Sequence, residues 1–219
     1  MGRDNHPRQR QAKQLERKKP KRPAYDRILV VTEGEKTEVN YLEEIRRFYR
    51  LSSAHIRVYH SPYGTTPLQV VEYARDRCLE TSEWGSVFCV IDRDDHQSYV
   101  NALHAAQALD GKHRNDLGKP IAVTAIPSNP CFELWLLLHF QANDGHIHRN
   151  DVVRLLRDRY IHGYEKGRGG TFEATMQNLE QAYANAARLR AREEGRGLTN
   201  PSTCVDELVP TLCALRELF

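Results

Sequence analysis

The chain has 219 residues, 40% of them hydrophobic and 28% charged, with a formal net charge of +3. A single compact domain of that length buries roughly 70% of the surface its unfolded chain exposes, which excludes the small scaffolds that need disulfides or a structural metal to fold. No apolar run exceeds five residues, against the roughly 18 that a membrane span requires. The basic amino-terminal stretch has no apolar segment behind it to act as a secretory signal, so a cytoplasmic protein with no membrane partner is expected. Cys78, Cys89, Cys131, Cys204 and Cys213 are scattered, without C-x-x-C spacing, and read as reduced core thiols rather than a zinc site.

Charge is unevenly placed. Residues 1–27 hold ten Lys or Arg against three acids, a net of +7, which leaves −4 for the rest of the chain. A leader this basic and this poor in apolar side chains cannot offset the entropy of ordering. Residues 1–25 are therefore expected to form a disordered basic arm, either a solvated tail or a tether to nucleic-acid phosphates.

Beyond the arm, short β-branched runs alternate with helical periods. Residues 27–32 (RILVVT) predict a buried strand, and Val39, Leu42, Ile45 and Phe48 then recur at helical spacing. Residues 55–60 (HIRVYH) alternate with period two, and Thr66-Pro67 opens a helix with the stripe Leu68, Val71, Ala74 and Cys78, proline being suited to a first turn. Residues 86–91 (SVFCVI) form a third run, 98–109 a helix, and 121–126 (IAVTAI) a fourth run. Strands separated by helical stretches are too far apart for hairpins, which predicts a mainly parallel four-stranded sheet flanked by helices, an α/β domain over 26–142.

Asn129 and Pro130 are expected to cap and start a central apolar helix, CFELWLLLHF. Helical patterns then cover 150–160 and 171–194, and Asn200-Pro201 opens a last helix that Pro210 should bend or break. Residues 163–170 (GYEKGRGG) read as a flexible loop carrying Lys166 and Arg168. Residues 143–219 are thus expected to form a helical extension packed on the α/β domain.

In parallel α/β sheets ligands collect at the carboxyl ends of the strands. The first strand ends in TEGEKTE, with Glu33, Glu35 and Glu38, and the third in DRDDH, with Asp92, Asp94 and Asp95. Like charges 4 Å apart repel by about 4 kcal/mol at intermediate dielectric, so six carboxylates in one crevice call for a counter-charge. All-oxygen donors favour Mg2+ or Mn2+ over zinc or copper. Singly, each acid could instead cap a helix or face water. Glu33 together with Asp92 and Asp94 is more telling, because D-x-D places two side chains on one side of a strand.

A Glu-Gly at the end of the first strand, followed by Asp-x-Asp after a later hydrophobic strand, resembles the Toprim fold of topoisomerases, primases and OLD-family nucleases. The blocks TEGEKTExxYL, IDRDDH, SNPCFELWLLLHF and NPST are more closely similar to the RloB family (RloB/AbiLii-like), over residues 26–215. This resemblance implies a Toprim-like fold in which Glu33, Asp92 and Asp94 are the catalytic residues and the Mg2+ or Mn2+ ligands. Glu38 resembles the second acid of OLD-type VEGxxE motifs, with a gap one residue longer, and would join the metal set. The resemblance also implies restriction or phage-defence loci, abortive infection, and an ABC-type ATPase as partner.

Several residues carry two readings. Glu133, flanked by Phe132, Leu134 and Trp135, must be paired if buried; it either joins the acidic crevice, where it and Asp95 would support the metal ligands or hold a second metal, or forms an internal salt bridge. His139 lies six residues further along and faces away from it. Lys36, Arg93 and His96 sit within the acidic motifs and could contact a phosphate, as could Lys166 and Arg168 in the glycine-rich loop. Neither a G-x-x-x-x-G-K-[ST] loop nor a G-x-S-x-G elbow occurs, so ATP hydrolysis by this chain is not expected.

The sequence thus reads as a Mg-dependent nucleic-acid phosphodiesterase, a nuclease acting on DNA or RNA (tRNA included) and an effector of phage defence. Its rival is a non-catalytic, Toprim-like regulatory or nucleic-acid-binding subunit of an ATPase-containing complex. A receiver-type phospho-acceptor would need an acidic pair after the first strand and one Asp after the third, the reverse of the emphasis here.

Overall fold

The computed structural model describes residues 27–93, 98–192 and 199–215. The expected basic arm, Asp94, Asp95, His96 and the end of the helix placed over 171–194 lie outside those residues.

The first strand, β1 (Arg27–Thr32), leads into α1 (Thr37–Phe48), and β2 (Ile56–His60) into α2 (Pro67–Glu80). β3 (Trp84–Asp92) is followed by α3 (Tyr99–Leu109), and β4 (Ala122–Asn129) by the short α4 (Glu133–Leu138). β1 to β4 are all parallel and stand in the order β2-β1-β3-β4. The four predicted strands are therefore present, in an α/β arrangement consistent with a Toprim-like fold. A fifth strand was not foreseen: β5 (Ser202–Thr203) pairs antiparallel with the end of β4. Two residues are too few for any periodic signal.

The sheet is covered on both faces, which is why its inner strands read as continuous apolar runs. Along β1, Ile28 and Val30 pack with Leu42, Trp135 and Val209 in one core, whereas Leu29 and Val31 pack with Val71, Ala74 and Ala102 in the other. α1, α4 and the carboxyl-terminal helices share the first face; α2 and α3 share the second. The chain steps from β1 outward to β2 and then back across to β3, so right-handed crossovers put α1 and α2 on opposite faces. α2 begins with the predicted Thr66-Pro67 turn, closed by a capping box between Thr66 and Gln69.

Several local expectations are corrected. Asn129 does not cap a helix: β4 continues to it, held by β3 and β5, the Asn129–Pro130 bond is cis, and α4 starts only at Glu133. The pattern over 150–160 resolves into α5 (Arg149–Leu155) and a π-helical turn (Leu156–Tyr160). The long helix splits into α6 (Thr171–Thr175), a 3-10 turn (Met176–Asn178) and α7 (Leu179–Ala191). α8 (Val205–Ala214) runs through Pro210. Phe48, the last residue of the expected α1 stripe, is 52% exposed, while Tyr41 is fully buried on that helix.

Candidate functional site

β1 and β3 are neighbours, and the connections leave them in opposite directions, so the crevice at their carboxyl ends is a topological switch point. Glu33 follows β1 and Asp92 ends β3. Although 59 residues apart, the two residues meet: the Asp92 backbone N–H donates to the Glu33 carboxylate, at Oε2, at 3.1 Å. Asp92 Oδ1 in turn accepts the Phe132 N–H at 2.9 Å, from the turn that leads into α4. The ladder fixes both residues, since Glu33 N donates to Val90 O and Arg93 N donates to Ser128 O.

These acids line a cleft of about 330 Å³ with Glu35, Lys36, Glu38, Glu133, Arg149 and Lys166. Glu38 folds back over Gly34 so closely that a Cβ there would lie 2.0 Å from Glu38 Oε2. That contact is a reason for glycine in the TEGE motif. Burial is the main influence that raises the Glu38 carboxyl above its ordinary value, and the Glu133 charge adds to it. Glu133 is 2% exposed and pairs with Lys166 Nζ at 2.9 Å. Burial acts to lower the Lys166 ammonium, but the charge and hydrogen bond of Glu133 outweigh it and hold the group above its ordinary value. The Cys131 thiol is pushed well up by burial and by Glu133 and Asp92, so it is no thiolate nucleophile.

Lys166 reaches Glu133 because the glycine-rich loop is fastened along one face of α1. Thr37 Oγ1 accepts the Gly167 N–H, Asn40 Nδ2 donates to Gly167 O, and the two Glu44 oxygens accept the Gly170 and Phe172 N–H groups. Thr37, Asn40 and Glu44 are three and four residues apart, the spacing of one helical face. Gly167 has φ +78°, and a Cβ there would stand 2.7 Å from Lys36 Cβ, so the loop lies tightly on Lys36. The loop expected to be flexible is thus tied down at three points.

Of the residues singled out in the sequence, Glu33, Glu35, Lys36, Glu38, Asp92, Glu133 and Lys166 share this cleft. Arg168 does not line it; its guanidinium donates to Gly163 O at 3.0 Å. Arg93 is exposed, with its guanidinium 5.5 Å from the Tyr99 ring. His139 is buried against Trp135, Nδ1 lying 2.9 Å from Trp135 O, burial lowers it to about 4, and it does not line the cleft. Arg149 and Thr65, which also line the cleft, carried no sequence signal; only folding brings the starts of α5 and α2 there.

The donor set suits a hard divalent cation. A carboxylate offers about four lone-pair sites, so a carboxylate that accepts a backbone N–H, as Glu33 and Asp92 do, can also serve as an oxygen ligand. Among the described residues, however, no three His, Cys, Asp or Glu side chains group closely enough to hold a metal ion. They supply a pair, and Asp94 lies outside them.

Residues 28–212 match the family model of the RloB-like protein. The chain belongs to the RloB-like family. No curated protein and no solved structure matches it. The match takes in both acidic motifs, the Glu133 helix, the glycine-rich loop and β5, so the whole cleft lies within the family's span. No described helix is long and apolar enough to cross a membrane.

Proposed function

We propose that this protein is a metal-dependent phosphodiesterase acting on nucleic acid, in a Toprim-like site, as an effector of phage defence. The observation that carries the reading is the meeting of Glu33 and Asp92 at the switch point of the sheet, joined by a 3.1 Å hydrogen bond and opening on an acidic cleft. Glu33 and Asp92, with Asp94, would hold Mg2+ or Mn2+, and Glu38 would extend the set. Such an ion, when bound, polarises a phosphoryl oxygen and lowers the pKa of water near it.

The chain's own residues do the rest. The Phe132 N–H bond to Asp92 and the Asp92 N–H bond to Glu33 fix both carboxylates before any ligand arrives, so no reorganisation is needed at the moment of reaction. Lys36, Arg149 and Lys166 supply positive charge on the same cleft wall, which draws a phosphate toward an otherwise acidic pocket. A defence role and an ATPase partner rest on the family resemblance alone.

The test is incubation of purified protein with Mg2+ or Mn2+ and mixed DNA and RNA, tRNA included, beside Asp92→Ala. Cleavage by the wild type alone supports the reading. Equal cleavage by the variant marks a contaminant, and no cleavage in any mixture replaces the enzyme with the non-catalytic subunit.

A further inference from the structure

On the far side of the fastened loop lies a second cavity, a groove of about 670 Å³ between the end of α1 and the start of α6. Gly167 lines the acidic cleft and Gly169 and Gly170 line the groove, while Thr37 and Asn40 do the same along α1. The two cavities therefore share one wall. From Thr37 to Phe48 the helix rises about 16 Å, the length of about five stacked nucleotides at 3.4 Å each.

The groove is built for a flat, hydrogen-bonding ring. Its floor holds Phe172, which is buried, and Met176, which is half-buried. Its lip is Phe48, left 52% exposed. That ring is nevertheless held in place by edge-on contacts to Tyr49 at 5.0 Å and Phe172 at 5.5 Å. An aromatic ring so exposed and so fixed is a stacking platform rather than a core residue.

The rim carries both donors and acceptors. Arg47 is exposed, and its guanidinium has no hydrogen bond or ion pair among the described residues. Asn40, which lines the groove, uses its Nδ2 on Gly167 O, and its carbonyl oxygen has no hydrogen-bond partner among the described residues. Glu173 is exposed, whereas the Glu44 carboxylate is already taken by the Gly170 and Phe172 N–H groups. Arg46, beside Arg47 in the last turn of α1, is paired with Glu43 at 2.7 Å, so Arg47 is the cation that the groove lining itself offers to a ligand.

We propose that this groove binds an unpaired nucleobase of a single-stranded nucleic acid, stacked on Phe48 with Arg47 beside it, while the same strand runs over the loop into the acidic cleft. The inference deepens the phosphodiesterase reading and rests on it for the path of the strand. It makes a single strand, not a closed duplex, the favoured substrate.

The experiment is fluorescence anisotropy with the full chain in EDTA, so that binding is read without cleavage. The probes are a short labelled single strand, the same strand with abasic sites, and its duplex. Phe48→Ala is expected to weaken the single strand about tenfold and to leave the abasic strand and the duplex unchanged. Phe48→Trp should keep the wild-type affinity, and Arg47→Met should weaken the base-bearing strand more than the abasic one. Equal affinity of Phe48→Ala and wild type for the base-bearing strand overturns the proposal, as does an equal loss on base-bearing and abasic strands. If Phe48→Ala loses base-dependent affinity while the wild type cleaves nothing with metal, the groove stands and the enzyme reading falls. If cleavage is found and base-dependent binding is not, the reverse holds.

Discussion

The two faces of the sheet are built differently. The face covered by α2 and α3 is filled mainly with Val, Ala, Leu and Ile side chains and two thiols, with Trp84 and Tyr99 as its aromatic members. The face covered by α1, α4 and the carboxyl-terminal helices buries ionisable and hydrogen-bonding groups as well: Glu38, Glu133, His139, Asn185 and Asp206. There Trp135 Nε1 donates to Tyr41 Oη at 2.8 Å, Asn185 Nδ2 donates to Leu138 O at 2.8 Å, and Arg190 pairs with Asp206. The groove opens on this second kind of face, and the acidic cleft at the strand ends takes most of its lining from it. Buried polar groups are expensive unless satisfied, so their concentration on one side marks the face that carries the candidate site.

Substitutions should divide along that line. On the face with the candidate site, Asp92→Ala should lower the proposed cleavage by about a thousandfold, on the order of 4 kcal/mol in the barrier. Asp92→Asn should lower it likewise while unfolding within about 1 kcal/mol of wild type, because the amide oxygen still accepts the Phe132 N–H. Rates and thermal melts on the two variants separate charge from structure.

His139 on the same face should make the protein acid-sensitive. Burial lowers it to about 4 from an ordinary 6.5, so the unfolded chain takes up a proton that the folded chain refuses. Stability is then full above about pH 6.5 and falls toward pH 4, by about 3 kcal/mol in all. Urea titrations across that window should show the slope in wild type and its loss in His139→Gln; equal slopes would remove His139 from the account.

Lys166→Met leaves the Glu133 carboxylate buried without its partner. Removing one member of a fully buried pair costs about 3 to 5 kcal/mol, but Lys166 is half exposed, so about 1 to 2 kcal/mol is expected. The double variant with Glu133→Gln should recover most of it, and a double-mutant cycle in urea measures the coupling. The smallest effect belongs to the other face. Thr66→Ala removes the α2 capping box and should lower stability by about 1 kcal/mol without changing cleavage. A loss of activity there would break the division between the faces.

Within the site, the acids of β1 and β3 were legible because a strand end is a local feature: RILVVT and SVFCVID end where their apolar runs end. Glu133 was legible only as a problem, a carboxylate among large apolar residues, since its answer, Lys166, lies 33 residues away on the loop. Phe48 shows the opposite failure. Helical spacing put it on the buried stripe, yet α1 turns Tyr41 inward and ends beyond the core, leaving Phe48 at the lip of a groove.

By itself the sequence determined the four parallel strands, the helices between them and the acidic strand ends, because period and side-chain chemistry act over a few residues. Only the tertiary structure decided that Asn129 stays in a strand, that Ser202 and Thr203 extend the sheet, and that a glycine-rich loop is fastened to α1 with its lysine on Glu133. Those outcomes depend on hydrogen bonds and charges between segments distant in the chain, whose partners exist only once the sheet has brought them together.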